Sequence, residues 1–273
     1  MKALNTNRFR FLLLVLFCFA ISCACSSHSS RRNRISKQKR FEQSKMMHDE
    51  MCIFHSGYTV SYNPRTLTAN WVAYELTAEE TDGPWLRKGL RFMPDPDCYE
   101  QQADNDDYQN SDYSRGHLAP AGDMKWDSVA MLESFYFTNC IPQDAALNNG
   151  KWNQLEMKTR AWAQQYGKIY VVCGPVFQSK DTLRIGHNGV AVPDACFKAL
   201  LIPKEKGYSA IAFVMQNGGE ERQLTECACT VDELEQILSI DLFCNLSKRQ
   251  QNIVESVIVW EDWGFKTIFD NEN

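Results

Sequence analysis

Apolar and polar positions alternate with period two in residues 58–63 and again in residues 70–77, and the first run ends in an Asn63-Pro64 turn signal. Both are expected to be strands, neighbours early in a sheet. Residues 134–139 and 168–173 are continuous apolar runs read as buried strands, the second stopped by Gly174-Pro175. Residues 190–193 and 199–202 flank a further strand region. Residues 209–215 are strand-like without a face fixed by pattern. Helical spacing replaces alternation from Asn148 onward, where Trp152, Leu155, Thr159 and Trp162 recur on one side and Gly167 supplies the stop. Residues 124–133 form a short helical candidate. Thr230 is an N-cap ahead of Val231-Asp232-Glu233-Leu234-Glu235, whose acids suit a first helical turn. Residues 87–96 read as a basic, turn-rich loop and residues 101–112 as an acidic exposed one. Gly116 and Pro120 bracket His117, which favours a turn leading out of a strand. Strands and helices mix without regular βαβ alternation or internal repeat. The fold class expected is α+β, a largely antiparallel central sheet with flanking helices.

The N-terminal segment departs from this patterning. Residues 1–25 carry a basic start (Lys2, Arg8, Arg10) and an unbroken apolar run over residues 11–20, too short for a membrane span of about 20 residues. A secretory signal is the expectation. Cys23 and Cys25 follow small residues in a loose lipoprotein-type pattern, so export with a lipid anchor at the cell envelope stands beside free secretion. Residues 26–49, rich in Arg and Lys, read as a disordered tether, and residues 50–273 as the folded domain. Eight cysteines remain beyond the signal, an even set that permits disulfides but equally suits small buried apolar side chains. Residues 1–45 hold ten of the 29 Lys/Arg and one of the 34 Asp/Glu. The remainder therefore carries 19 basic and 33 acidic groups, a net of −14. That excludes a broad basic nucleic-acid footprint but not a narrow basic cleft.

The candidate chemistry lies between Tyr113 and Glu156: Arg115, His117, Asn139, Asn148 and Glu156 fall within 44 residues. A neutral imidazole accepts a proton from water near neutral pH, so His117 can serve as a hydrolytic base. Arg115 offers a planar fork to phosphate oxygens. Asn148 and Glu156 are oxygen donors of the kind Mg²⁺ takes, Asn148 directly and Glu156 through a metal-bound water. On spacing alone a helix N-cap and an exposed Glu account for them more simply. Arg160, four residues after Glu156, shares its helix face, which an ordinary surface pair also explains. Asn139 closes a buried run and needs partners for its amide. Trp152, Phe135 and Phe137 read as core.

Arg115-Gly116-His117-Leu118-Ala119-Pro120-Ala121, then Thr138-Asn139-Cys140-Ile141-Pro142-Gln143, then Leu147-Asn148-x-Gly150-x-Trp152-x-x-Leu155-Glu156, resemble in content and order the DNA/RNA non-specific endonuclease family with its ββα-metal active site. Weaker blocks, Phe197-Lys198 among them, extend the likeness over residues 58–246. The resemblance implies an endonuclease acting on DNA and RNA. His117 would be the general base and Asn148 the sole direct protein ligand to Mg²⁺, or to a substitute such as Mn²⁺. Glu156 would hold metal-bound water, Asn139 would orient the site and Arg115 would support the phosphate. It also implies an upstream Arg, for which Arg91 is the first choice and Arg87 close behind, and allows Arg160 a part. Ser114 stands where the family usually has Asp, which removes a negative charge beside Arg115 and His117. The competing readings are a catalytically silent nucleic-acid binder, a disulfide-stapled surface or adhesive protein, and a phosphodiesterase for small substrates.

Overall fold

Strands that are apolar at nearly every position need cover on both faces, and this chain places three of them side by side. The computed structural model describes residues 50–218 and 222–265. Its main sheet has seven strands in the order β1-β2-β3-β6-β9-β10-β11, all antiparallel. They are β1 (Met51–Phe54), β2 (Thr59–Asn63), β3 (Thr68–Thr77), β6 (Lys168–Val176), β9 (Ala195–Pro203), β10 (Tyr208–Gln216) and β11 (Ala228–Cys229). Successive side chains of a strand point to opposite faces, and β9 divides accordingly. Cys196, Leu200 and Ile202 enter one core, while Phe197, Ala199 and Leu201 enter the other.

The first core is roofed by Leu118, Trp152, Leu155, Trp162 and Ala163. These come from the segment after β4 (Tyr113–His117) and from the run through α4 (Asn153–Tyr166). The second core is closed by Val231 and Leu234 of α5 (Val231–Leu238), by Leu242 and Phe243, and by Val254 of α6 (Lys248–Val254). The result is a helix–sheet–helix sandwich of the α+β class. A separate two-stranded ladder joins β4 to β5 (Cys140–Asp144), and a second joins β7 (Arg184–Ile185) to β8 (Val190–Ala191). No helix among the described residues is long and apolar enough to cross a membrane. The expected signal segment and tether lie outside the described residues.

The alternating runs are strands, Thr230 caps α5 with a reciprocal Glu233 contact, and Gly167 ends α4 at φ 80°. Five expectations need correction. Residues 134–139 are not a strand. Their N–H groups close local turns (Ser134 to Ala130, Phe135 to Leu132, Tyr136 to Glu133), and the paired segment is β5. That run is apolar because packing buries it, not because a ladder does. The loop at 101–112 contains a helical turn, α1 (Asn105–Tyr108), with a capping box from Asp104 and with Asp107 and Tyr108 buried. The helix at 124–133 begins later, as α2 (Ser128–Glu133), where Asp127 caps it. The helix expected from Asn148 begins at α3 (Ala145–Leu147), capped by Asp144. Strand β6 runs through Gly174-Pro175 to Val176, because β3 pairs with it only as far as Cys173. Beyond that point β6 is paired on one side alone, where a proline costs no ladder bond. None of the eight described cysteines is in a disulfide. Cys140, Cys173 and Cys196 are fully buried, and burial pushes each thiol up to about 12. No disulfide staples this region.

Candidate active site

The site is built on β4, β5 and the helix that follows them. In the β4–β5 ladder His117 faces Cys140, Gly116 faces Ile141 and Arg115 faces Pro142. Gly116 has no side chain because Gln143 crosses that space: a Cβ there would lie 2.4 Å from Gln143 Oε1. Asn139 is fully buried just before β5. Its Oδ1 accepts from Ala119 N–H at 2.8 Å, and its Nδ2 donates to the carbonyls of Ala119 (2.9 Å) and Ser134 (2.8 Å). The amide thus clamps the backbone two residues past His117 and does not line the cleft. Trp152 Nε1 donates to the His117 carbonyl at 3.3 Å and ties the end of β4 to the helical run.

Two aromatic rings hold the His117 imidazole. Phe92 lies 4.7 Å from it, tilted by 48°, and Phe135 meets it edge-on at 4.9 Å. Phe92 is placed by its loop, since Met93 exchanges backbone bonds with Phe135 and Phe137. Asp95 then anchors that loop, accepting from Thr138 Oγ1 at 2.6 Å and meeting His55 Nε2 at 3.0 Å. Burial alone would raise the Asp95 carboxyl, and the bonds from His55 and Thr138 outweigh it and hold the group below its ordinary value. His117 Nε2 is buried without a hydrogen-bond partner. Burial, then the Arg87 charge, push the ring down to about 3, so it is neutral through the physiological range.

Asn148 and Glu156 reach the same cleft because the helix is irregular between them. Eight ideal helical steps turn about 800°, leaving two side chains roughly 80° apart. Residues Asn148–Trp152 instead form a π-type turn, with Gly150 at non-helical φ −100°, ψ −106°. Such a turn absorbs one residue, and the remaining seven steps make close to two full turns. Among the described residues neither side chain makes a hydrogen bond, and Asn148 is not the N-cap, since Asp144 fills that role. Burial pushes Glu156 up to about 7. Lys198, Arg160 and Arg87 pull the other way but do not outweigh it. An amide oxygen and a carboxyl group lining one cleft suit a hard, oxygen-liganded divalent cation.

Around these groups lies a cleft of about 630 Å³, lined by His117, Asn148, Glu156, Arg115, Arg160 and Arg87 among others. Arg160 is held by Asp123 (2.7 Å), whose other oxygen accepts from Tyr74 O–H at 2.8 Å. Arg115 donates to the Asn105 carbonyl at 2.9 Å and lies over the Tyr108 ring at 5.2 Å, leaving its Nε without a partner. Of the two upstream candidates Arg87 lines the cleft. Arg91 is exposed outside the cleft, while the next residue, Phe92, turns its ring onto His117. Lys88, Lys125 and the half-exposed Trp85 also line the cleft, fixed in part by Trp85 N–H donating to Lys125 O at 3.1 Å. The sequence reading missed them, because nothing local marks a residue that reaches the site through a loop. It also missed the Phe92–Phe135 clamp.

Residues 38–249 match the model of the DNA/RNA non-specific endonuclease family. The mitochondrial nuclease EXOG of Danio rerio is 37% identical over 212 residues, 72% of this chain and 62% of that protein. The mitochondrial endonuclease G of Homo sapiens is 36% identical over 172 residues, 59% of this chain and 58% of that protein. The chain thus matches about three fifths of the length of these curated relatives. The crystal structure of an EndoG/EndoGI complex superimposes with a TM-score of 0.73 at 26% identity, covering 80% of this chain and 94% of that one.

Proposed function

The chain belongs to the DNA/RNA non-specific endonuclease family, and on that premise we propose that it is a divalent-metal-dependent endonuclease, Mg²⁺ being the preferred ion, that hydrolyses phosphodiester bonds of DNA and RNA without sequence preference. The observation that carries the reading is the convergence of His117, Asn148, Glu156, Arg115, Arg160 and Arg87 on one cleft. Arg115 and Arg87, which line the cleft, bind and orient the phosphate. His117, neutral and fixed between two rings, takes the proton of the attacking water as the new P–O bond forms and the opposite P–O bond breaks. Asn148 would be the direct ligand of the cation, and Glu156 would accept from water bound to it. A bound cation would offset the charge that develops on the phosphate and the leaving oxygen. Arg and Lys side chains line the cleft, and contacts of such cations to phosphate carry no sequence information, which supports cleavage without sequence preference.

Export belongs to the same proposal. The relatives' names place those proteins in mitochondria, but the unbroken apolar run of residues 11–20 after a basic start supports a secretory signal here. N-terminal sequencing of protein recovered from the cell envelope and from the medium tests it and separates a lipid-modified cysteine from a free end.

The deciding experiment is cleavage of circular plasmid and of RNA with Mg²⁺, with excess EDTA, and by His117→Ala. Both nucleic acids are expected to be cut by the wild type with Mg²⁺. EDTA should stop cleavage, and His117→Ala should slow it by roughly 10²–10⁴-fold. A folded wild type inert across several divalent metals would sink the proposal.

A further inference from the structure

Lys198 is the one lysine that β9 turns inward. It follows Cys196 and precedes Leu200 at period two, on the face of the sheet that carries the catalytic helix. Its side chain is fully buried and its ammonium has no hydrogen-bond partner. Nζ sits 4.6 Å from the centre of the Trp152 ring, and that indole's N–H is the one that holds the His117 carbonyl. Trp152 also lies on the π-type turn between Asn148 and Glu156. A buried charge without a full set of hydrogen bonds costs several kcal/mol as an order of magnitude, so folding alone gives no reason to keep it.

Three ionisable groups feel this charge most: Glu156, Cys173 and Cys196. Burial holds both thiols up at about 12, so they stay neutral and offer no counter-ion. Glu156 remains. Lys198 is fully buried and does not line the cleft, so any effect on cleavage must pass through the residues it touches.

We propose that Lys198 is a positioning residue of the cleavage site, a fixed buried cation that seats Trp152, and through it His117, against the helix bearing Asn148 and Glu156. This rests on the endonuclease reading, and the experiment keeps the two apart: wild type and His117→Ala test the activity, while Lys198 variants test the seat. Lys198→Met keeps the length and apolar body of the side chain and removes the charge. Replacing a buried charge by an apolar side chain of similar volume is often neutral or stabilising, so its melting temperature should equal or exceed that of the wild type. Its kcat on plasmid should nevertheless fall at least tenfold with KM unchanged, and Lys198→Arg should recover part of the loss. Trp152→Phe keeps the ring and removes only the bond to His117, and it should lower kcat in the same manner. Lys198→Met at wild-type kcat would overturn the proposal. So would a variant whose activity falls only in step with its folded fraction, because Lys198 would then be structural. Full activity of Trp152→Phe would overturn it independently.

Discussion

His117 and Glu156 are both displaced from their ordinary ionisation ranges by burial, and the displacement favours the neutral form of each: the imidazole down to about 3, the carboxyl up to about 7. Their effects on stability run in opposite directions. The depressed His117 adds stability as pH rises from about 3 to its ordinary 6.5, and nothing further above that. The raised Glu156 favours a fold holding a neutral acid, so its contribution is lost as pH climbs from 4.5 through about 7. Glu235, up to about 7, and Glu255, up to about 8, act in the same sense, burial leading in both. Between pH 6.5 and 8 these three carboxyls lose protons that the unfolded chain has already shed, which outweighs the small remaining gain from His117. The metal-free protein should therefore melt lower at pH 8 than at pH 6.5, and Glu156→Gln should flatten part of that slope. A melting temperature that rose over the interval would contradict the assignment.

At the scale of elements, the site depends on how closely β4 and β5 approach. Gly116 lets the Gln143 side chain cross the ladder, and Asn139 then fixes the turn beyond His117 with three hydrogen bonds. Gly116→Ala would place a methyl group 2.4 Å from Gln143 Oε1. Overpacking of that kind costs about 1–3 kcal/mol and would move His117 relative to the helix. Gly116→Ala should thus lower both melting temperature and cleavage rate, and Gln143→Gly in the same chain should restore part of each, since the Gln143 Cβ would itself lie 2.7 Å from the new methyl group. Absence of any recovery in the double variant would place the fault elsewhere. The π-type turn acts at the same scale, setting the angle between Asn148 and Glu156.

Over the whole molecule, an acidic body carries a basic cleft. Residues 46–273 hold 19 basic and 33 acidic groups, yet Arg87, Lys88, Arg115, Lys125 and Arg160 all line the site. Local cations engage phosphate while the surrounding field opposes a polyanion, so binding should weaken steeply with salt. Each phosphate neutralised on duplex DNA contributes about 0.9 to the slope of log affinity against log salt. Lys88→Ala, far from the proton transfer, should reduce that slope by about 1 and raise KM with little change in kcat. An unchanged slope would remove Lys88 from the substrate path.

The sequence by itself determined the α+β class, strands over 58–63, 70–77 and 209–215, and the caps at Gly167 and Thr230, and it singled out Arg115, His117, Asn148 and Glu156, which line one cleft. Those features are written in local periodicity, capping chemistry and contiguous motifs. Residues 134–139 show the limit: apolarity reports burial, and whether buried backbone pairs in a ladder or closes on itself depends on partners far along the chain. The choice of Arg87 over Arg91, the clamp of Phe92 and Phe135 on His117, and the burial of Lys198 under Trp152 were decided only by tertiary structure. Each joins segments tens of residues apart, and no local pattern encodes the distance between them.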